Sequence, residues 1–100
     1  MDDIKALEQA MNDFVESKGW YAADSPKAQT PKNLAISLVL EANEVLEHFQ
    51  WTEATADKEA LGSELADVML YLLQLAHIHD IDLGQAVLKK LEQNYNRTWE

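Results

Sequence analysis

Residues 34–51 read LAISLVLEANEVLEHFQW and residues 61–78 read LGSELADVMLYLLQLAHI, two apolar stretches each broken by a pair of acids. The pairs are Glu41 with Glu44 and Glu64 with Asp67, the members of each three positions apart. On an α-helix that spacing sets both side chains on one face, about 60° apart around the axis, so each pair makes a two-pronged acidic claw. An ionised carboxylate taken out of water costs several kcal/mol unless it is paired or metal-bound, and few basic residues stand nearby. A divalent cation answers that need.

The run from Glu44 to Glu64 is long enough to finish one helix, turn, and climb about two turns of the next. If the two helices run antiparallel, the claws face each other. Four converging carboxylates repel, and Mg²⁺, or alternatively Mn²⁺, relieves the repulsion while keeping coordination positions for water and phosphate oxygens. The acids therefore predict phosphate chemistry, with Glu41, Glu44, Glu64 and Asp67 as metal ligands and catalytic groups. The plainer alternative is that acids at this spacing are solvated helix surface.

Outward from these stretches, the chain reads as four helices. Ile4, Leu7, Met11, Phe14 and Val15 recur at helical spacing and predict a helix from Asp3 to Lys18, with Asp2 and Asp3 at the positive end of its dipole and Gly19 as its stop. WYAADSPKAQT, residues 20–30, has no period and reads as a loop, long for so small a chain and so a candidate binding segment. Thr30-Pro31 is an N-cap with proline in the first turn, opening a second helix to about Gln50. WTEATAD, residues 51–57, is the connecting turn. A third helix from Lys58 to His79 is nearly apolar all round beyond Glu64, which predicts the most buried element. Asp80-Ile81-Asp82 breaks it, and Asp82 with Gln85 has the form of a capping box opening a fourth helix to about Arg97.

One hundred residues suffice for one domain, 1–100, and the 47% hydrophobic content with 3 Gly and 2 Pro favours an all-α, four-helix bundle-like unit. Such a unit has surplus apolar surface, which a second copy would cover, so an oligomer is expected. The formal net charge of −10, from 18 acids against 8 Lys and Arg, argues against polymeric nucleic acid or anionic membrane as a partner. The absence of cysteine excludes disulfides, thiolate zinc and cysteine nucleophiles. The acidic, amphipathic start MDDIKALEQA does not read as a signal sequence, and no apolar run reaches spanning length, so a cytoplasmic protein is expected.

A nucleotide site needs aromatic faces for bases and cations for phosphates. Trp51 lies seven residues after Glu44 and Tyr71 four after Asp67, each on the face of its claw. Trp20 sits in the long loop. The competing reading for all three is ordinary core or interface packing. Lys90, Asn94 and Arg97 share one face of the last helix and are candidates to clamp phosphates, against the alternative that cations there only offset the helix dipole. Glu47 extends the acidic face as a spare ligand or water-orienting group. His48, His77 and His79 show no ligand spacing. No Glu-x-x-His, glycine-rich phosphate loop, H-E-x-x-H or G-x-S-x-G occurs.

The pattern E-x-x-E, spacer, E-x-x-D on consecutive helices resembles the all-α nucleoside triphosphate pyrophosphatases related to MazG. The phrases TPKNLAISLVLEANEVLEHFQW, ELADVMLYLLQLAHIHDIDL and AVLKKLEQNYNR, together about half the chain, carry the resemblance. They are most similar to the compact single-domain branch that includes the dCTP pyrophosphatases. The resemblance implies Mg²⁺-dependent hydrolysis of a (deoxy)nucleoside triphosphate, a dNTP such as dCTP, to the monophosphate and pyrophosphate, with nucleotide-pool cleansing as its role. It implies metal binding by Glu41, Glu44, Glu64 and Asp67, nucleotide contacts from Trp51 and Tyr71, a base-pocket role for Trp20, and phosphate contacts from Lys90 and Asn94. It further implies a homodimer or dimer of dimers with pockets shared between subunits. Two departures stand out: Gln29 where close relatives carry His, and Thr98-Trp99 where they often end in Tyr-Pro. Both spare the acids. The rival from another class is a non-catalytic helical dimerisation or regulatory module that binds nucleotide without cleaving it.

Overall fold

The computed structural model describes residues 3–54 and 57–99. Among them the chain forms four α-helices and no strand: α1 (Ile4–Ser17), α2 (Pro31–Glu47), α3 (Lys58–Ile78) and α4 (Leu83–Tyr95). Asp2, expected beside Asp3 at the first helix dipole, lies outside the described residues, as do residues 55 and 56 of the connecting turn.

Every helix begins the same way, with a side-chain oxygen accepting from the main-chain N–H three residues on. Asp3 accepts from Ala6 at 2.8 Å, Thr30 from Asn33 at 3.1 Å, Asp57 from Ala60 at 2.9 Å and Asp82 from Gln85 at 3.1 Å. Each cap satisfies one of the amides a helix start leaves without a partner. α1 and α3 also end alike. Gly19 takes φ +70°, its N–H donating to Glu16 O while Trp20 donates back to Val15 O. At the end of α3 the left-handed residue is Asp80, φ 56°, with Asp80 donating to His77 O and Ile81 to Ala76 O. Both are the paired back-bonds of a Schellman stop, and a short polar side chain tolerates the left-handed position that glycine fills in α1.

α2 stops at Glu47, short of the expected Gln50, because the N–H groups of His48, Phe49 and Gln50 bond three residues back, to Val45, Leu46 and Glu47, and wind the end into a tighter turn. α4 stops at Tyr95 and not Arg97 for the same reason, since Arg97 donates to Asn94 O.

α3 is the shared partner, packing along α2 and against α1, while α4 touches α1 only lightly. Met11, Val15 and Leu73 form the buried cluster between α1 and α3, with Trp20, Tyr21 and Met69 packed on it. Lys5 Nζ and Asp82 Oδ2, 3.3 Å apart, join α1 to the start of α4. α3 is central, yet its Leu65, Leu70 and Leu72 are exposed, as are Ile36, Val39, Leu40 and Leu46 on α2 and Val87, Leu88 and Leu91 on α4. The radius of gyration is 15.9 Å, against about 13 Å for a compact chain of this length. The helices splay, and their apolar stripes stay open.

Candidate active site

Gln29, just ahead of α2, bonds to Gln74 in the second half of α3, while Glu41 and Asp67 line one cavity further along. The two helices therefore run antiparallel, the arrangement in which the acid claws meet. Partial burial pushes the Glu41 carboxyl above its ordinary value, and the negative charges of Asp67, Glu44 and Glu64 push it further in the same direction. The four acids occupy one electrostatic field.

They do so with less burial than the sequence suggested. Glu44 is exposed and Glu41, Glu64 and Asp67 are half-buried, because the neighbouring Val39, Leu40, Leu46 and Leu65 are themselves open to solvent. Among the described residues no three acidic or histidine side chains converge closely enough to hold a metal ion as they stand. Glu64 nevertheless carries a buried oxygen, Oε2, with no hydrogen-bond partner. An acceptor-only oxygen left dry, in one field with the three carboxylates of Glu41, Glu44 and Asp67, matches the donor set of a hard divalent cation. The residues fit the group that the acid pattern implies.

Beside Glu41 and Asp67 opens a cavity of about 760 Å³. Its apolar wall comes from α1 and the following loop: Met11, Phe14, Val15, Trp20 and Pro26. Trp20 meets Phe14 edge to face, ring centres 5.6 Å apart at 86°, and Lys27 Nζ stands 5.1 Å from the Trp20 ring centre. The polar wall comes from Gln29 and Asn33 around the start of α2 and from Tyr71 and Gln74 on α3. Gln74 is 4% exposed, and its Nε2 donates to Gln29 Oε1 at 2.6 Å. Next to it, burial raises the Tyr21 phenol while the Gln74 amide works against that rise; the hydroxyl lies near that amide without completing a hydrogen bond. A cavity lined by apolar and aromatic side chains, by amides and by two carboxylates can seat a ring and direct its charged tail toward the carboxylates.

Of the residues singled out by sequence, Glu41, Asp67, Trp20 and Tyr71 line this cavity. Glu44 and Glu64 reach it through their effect on Glu41. Trp51 does not line it and is 90% exposed past the end of α2. Lys90, Asn94 and Arg97 do not line it either, since α4 touches only α1, and that lightly, among the contacts that hold the helices together. The Arg97 guanidinium is 4.0 Å over the Trp99 ring, and Trp99 Nε1 donates to Asn94 O at 3.3 Å. Sequence reading missed Gln74 and Asn33. Gln74 had a usable signal: a lone amide inside the run LYLLQLA, seven residues from Asp67 and so on the same face.

Residues 36–99 match the MazG-like family. The chain is 33% identical over 106 residues to dCTP pyrophosphatase 1 of Mus musculus and 32% identical to that of Homo sapiens, in each case over 97% of this chain and 58% of the relative. It thus spans little more than half the length of the curated relatives it matches. A crystal structure of a pyrophosphatase from Archaeoglobus fulgidus superposes with a TM-score of 0.80 at 35% identity, covering 96% of this chain and 92% of that one.

Proposed function

This chain belongs to the MazG-like family, and from that premise we propose that it is a nucleoside triphosphate pyrophosphatase, cleaving a (deoxy)nucleoside triphosphate, a dNTP such as dCTP, to the monophosphate and pyrophosphate. The observation that carries the reading is the Glu41 carboxyl, held above its ordinary value by burial and then by three further acids, on the lining of a cavity large enough for a nucleotide ring. The likeness to proteins named pyrophosphatase supports it.

In this reading Glu41, Glu44, Glu64 and Asp67 hold Mg²⁺, or Mn²⁺ in its place, with the dry Glu64 Oε2 as one donor. The chemistry the ion supplies when bound is neutralisation of phosphate charge. Trp20 and Tyr71 seat the base and sugar, and Glu47 or Glu44 orients the attacking water. The apolar walls keep bulk water from the ring, so the triphosphate tail is the part left facing the acids.

Trp51, Lys90, Asn94 and Arg97 enter the same site from a second copy. Two features of the chain support this. These residues do not line the cavity of their own chain, and the exposed apolar stripes of α2 and α4 leave a surface that a homodimer, or a dimer of dimers, would bury. Lys90 and Arg97 would then balance charge on the departing pyrophosphate.

A panel of dNTPs and NTPs with Mg²⁺, assayed for pyrophosphate release, tests the proposal. Release from at least one of them, abolished by Glu41→Gln or Asp67→Asn, is the expected result. No release from any member overturns it. The open spacing of the acids favours one rival, a module that binds nucleotide without cleaving it. That rival predicts nucleotide binding without pyrophosphate.

A further inference from the structure

The cavity that carries Glu41 and Asp67 has a cation of its own. Among the described residues on its lining, Lys27 is the one Lys or Arg. Its main chain is tied on both sides: the N–H donates to Ser25 Oγ at 3.0 Å, and the carbonyl accepts from Gln29 Nε2 at 2.6 Å. Gln29 Oε1 accepts in turn from Nε2 of the buried Gln74 on α3. The root of the Lys27 side chain is therefore anchored to the core. Its head is not. Lys27 is exposed, its Nζ stands over the Trp20 ring, and among the described residues it makes no ion pair, although two carboxylates line the same cavity. A cation resting on an aromatic face in contact with water is held weakly. The ammonium is free to swing on its flexible stem about a fixed root.

We infer that Lys27 is a phosphate-binding residue of this site: its ammonium leaves Trp20 when a nucleotide enters and pairs with oxygens of the phosphate tail. This rests on the reading that the cavity seats a nucleotide. A base stacking on the covered face of Trp20 displaces Nζ, and the phosphates are the strongest acceptors the ligand brings with it. A metal ion held by the acids repels the ammonium from them and toward the tail. The charge balance points the same way. Glu41, Glu44, Glu64 and Asp67 act in one field, a triphosphate adds to the negative charge, and one divalent ion offsets only part of the sum. Lys90 and Arg97 do not line the cavity of their own chain, so Lys27 is the cation a single chain supplies there.

The test is a calorimetric titration of the full chain, in Mg²⁺, with α,β-methylene analogues of the four dNTPs, wild type against Lys27→Met and Lys27→Arg. Methionine keeps an apolar stem beside Trp20 and drops the charge, and an exposed position in the segment between α1 and α2 tolerates either change. For the analogue that the wild type binds most tightly, Lys27→Met should bind about tenfold more weakly at about 0.05 M salt. The gap should narrow toward unity at about 0.5 M salt, because an exposed charge pair is screened. Lys27→Arg should recover most of the loss. An unchanged Kd in Lys27→Met, a loss of the same size at both salt concentrations, or a loss that Lys27→Arg does not relieve overturns the inference, since a residue acting only through the shape of the wall behaves in one of these ways. The ligands are not cleaved, so a failure to release pyrophosphate sinks the proposed activity and leaves the comparison measurable, whereas no binding of any analogue by the wild type sinks both.

Discussion

Glu41 of α2 and Asp67 of α3 line the same cavity from opposite helices, and the charge of Asp67 is the largest of the three like charges acting on Glu41. Like charges held together by the fold store repulsion that a cation or a neutral isostere releases. Glu41→Gln should therefore raise the metal-free Tm by a few degrees, while removing most of the upward shift that Mg²⁺ gives the wild type. Thermal melts with and without Mg²⁺ measure both. At a hundredfold excess over Kd the wild-type gain is about 2.7 kcal/mol. A variant melting no higher than wild type without metal would contradict the shared field.

The proposed division of the site between copies has a direct consequence in mixtures. Lys90→Ala and Glu64→Gln should each lose most turnover alone. Co-refolded at equal amounts, they should recover about a quarter of wild-type activity, because half of randomly assembled dimers are mixed and each mixed dimer has one intact site of two. Recovery at the level of the separate variants would place Lys90 and Glu64 in the same chain's site or remove Lys90 from it.

Leu40 and Leu73 separate assembly from folding. Leu73 is 1% exposed, and Leu73→Ala should cost about 2–5 kcal/mol of stability by leaving a cavity between α1 and α3. Leu40→Glu lies on the open stripe of α2. It should leave helix content by circular dichroism intact, shift sedimentation to the monomer, and lower pyrophosphate release with it.

Asp82 ties pH to the anchoring of α4. Its carboxyl lies below the ordinary aspartate value, chiefly through the Gln85 N–H, with desolvation acting the other way and Lys5 adding to the lowering. A lowered folded-state pKa means that the stabilisation is complete above the unfolded aspartate pKa and is lost as pH falls through the folded one. Asp82→Ala should melt earlier than wild type at pH 7, and the gap should close as the solution is acidified below the ordinary aspartate range.

Much of the helix plan was legible because it is written locally. Thr30-Pro31, Gly19 and Asp82 each act within one turn of where they stand. The ends of α2 and α4 were overrun because hydrophobic spacing continues while the backbone tightens to bonds three residues back. The carboxylates were read as more buried than they are, since apolar neighbours such as Val39 and Leu65 imply burial only if something covers them. Lys90, Asn94 and Arg97 could be placed on one helix face but not against a cavity, which depends on where α4 packs. The place of Gln74 on the Asp67 face was legible, but its pairing with Gln29, forty-five positions away, was not.

The acids ride on α2 and α3, while Trp20, Pro26, Lys27 and Gln29 reach the cavity from the segment between α1 and α2. Part of the cavity wall is therefore carried on a stretch of the chain apart from the acids, while Asn33, Tyr71 and Gln74 share their helices. Exchanges in that connecting segment would reshape the apolar side of the cavity while leaving the acid-bearing helices unchanged.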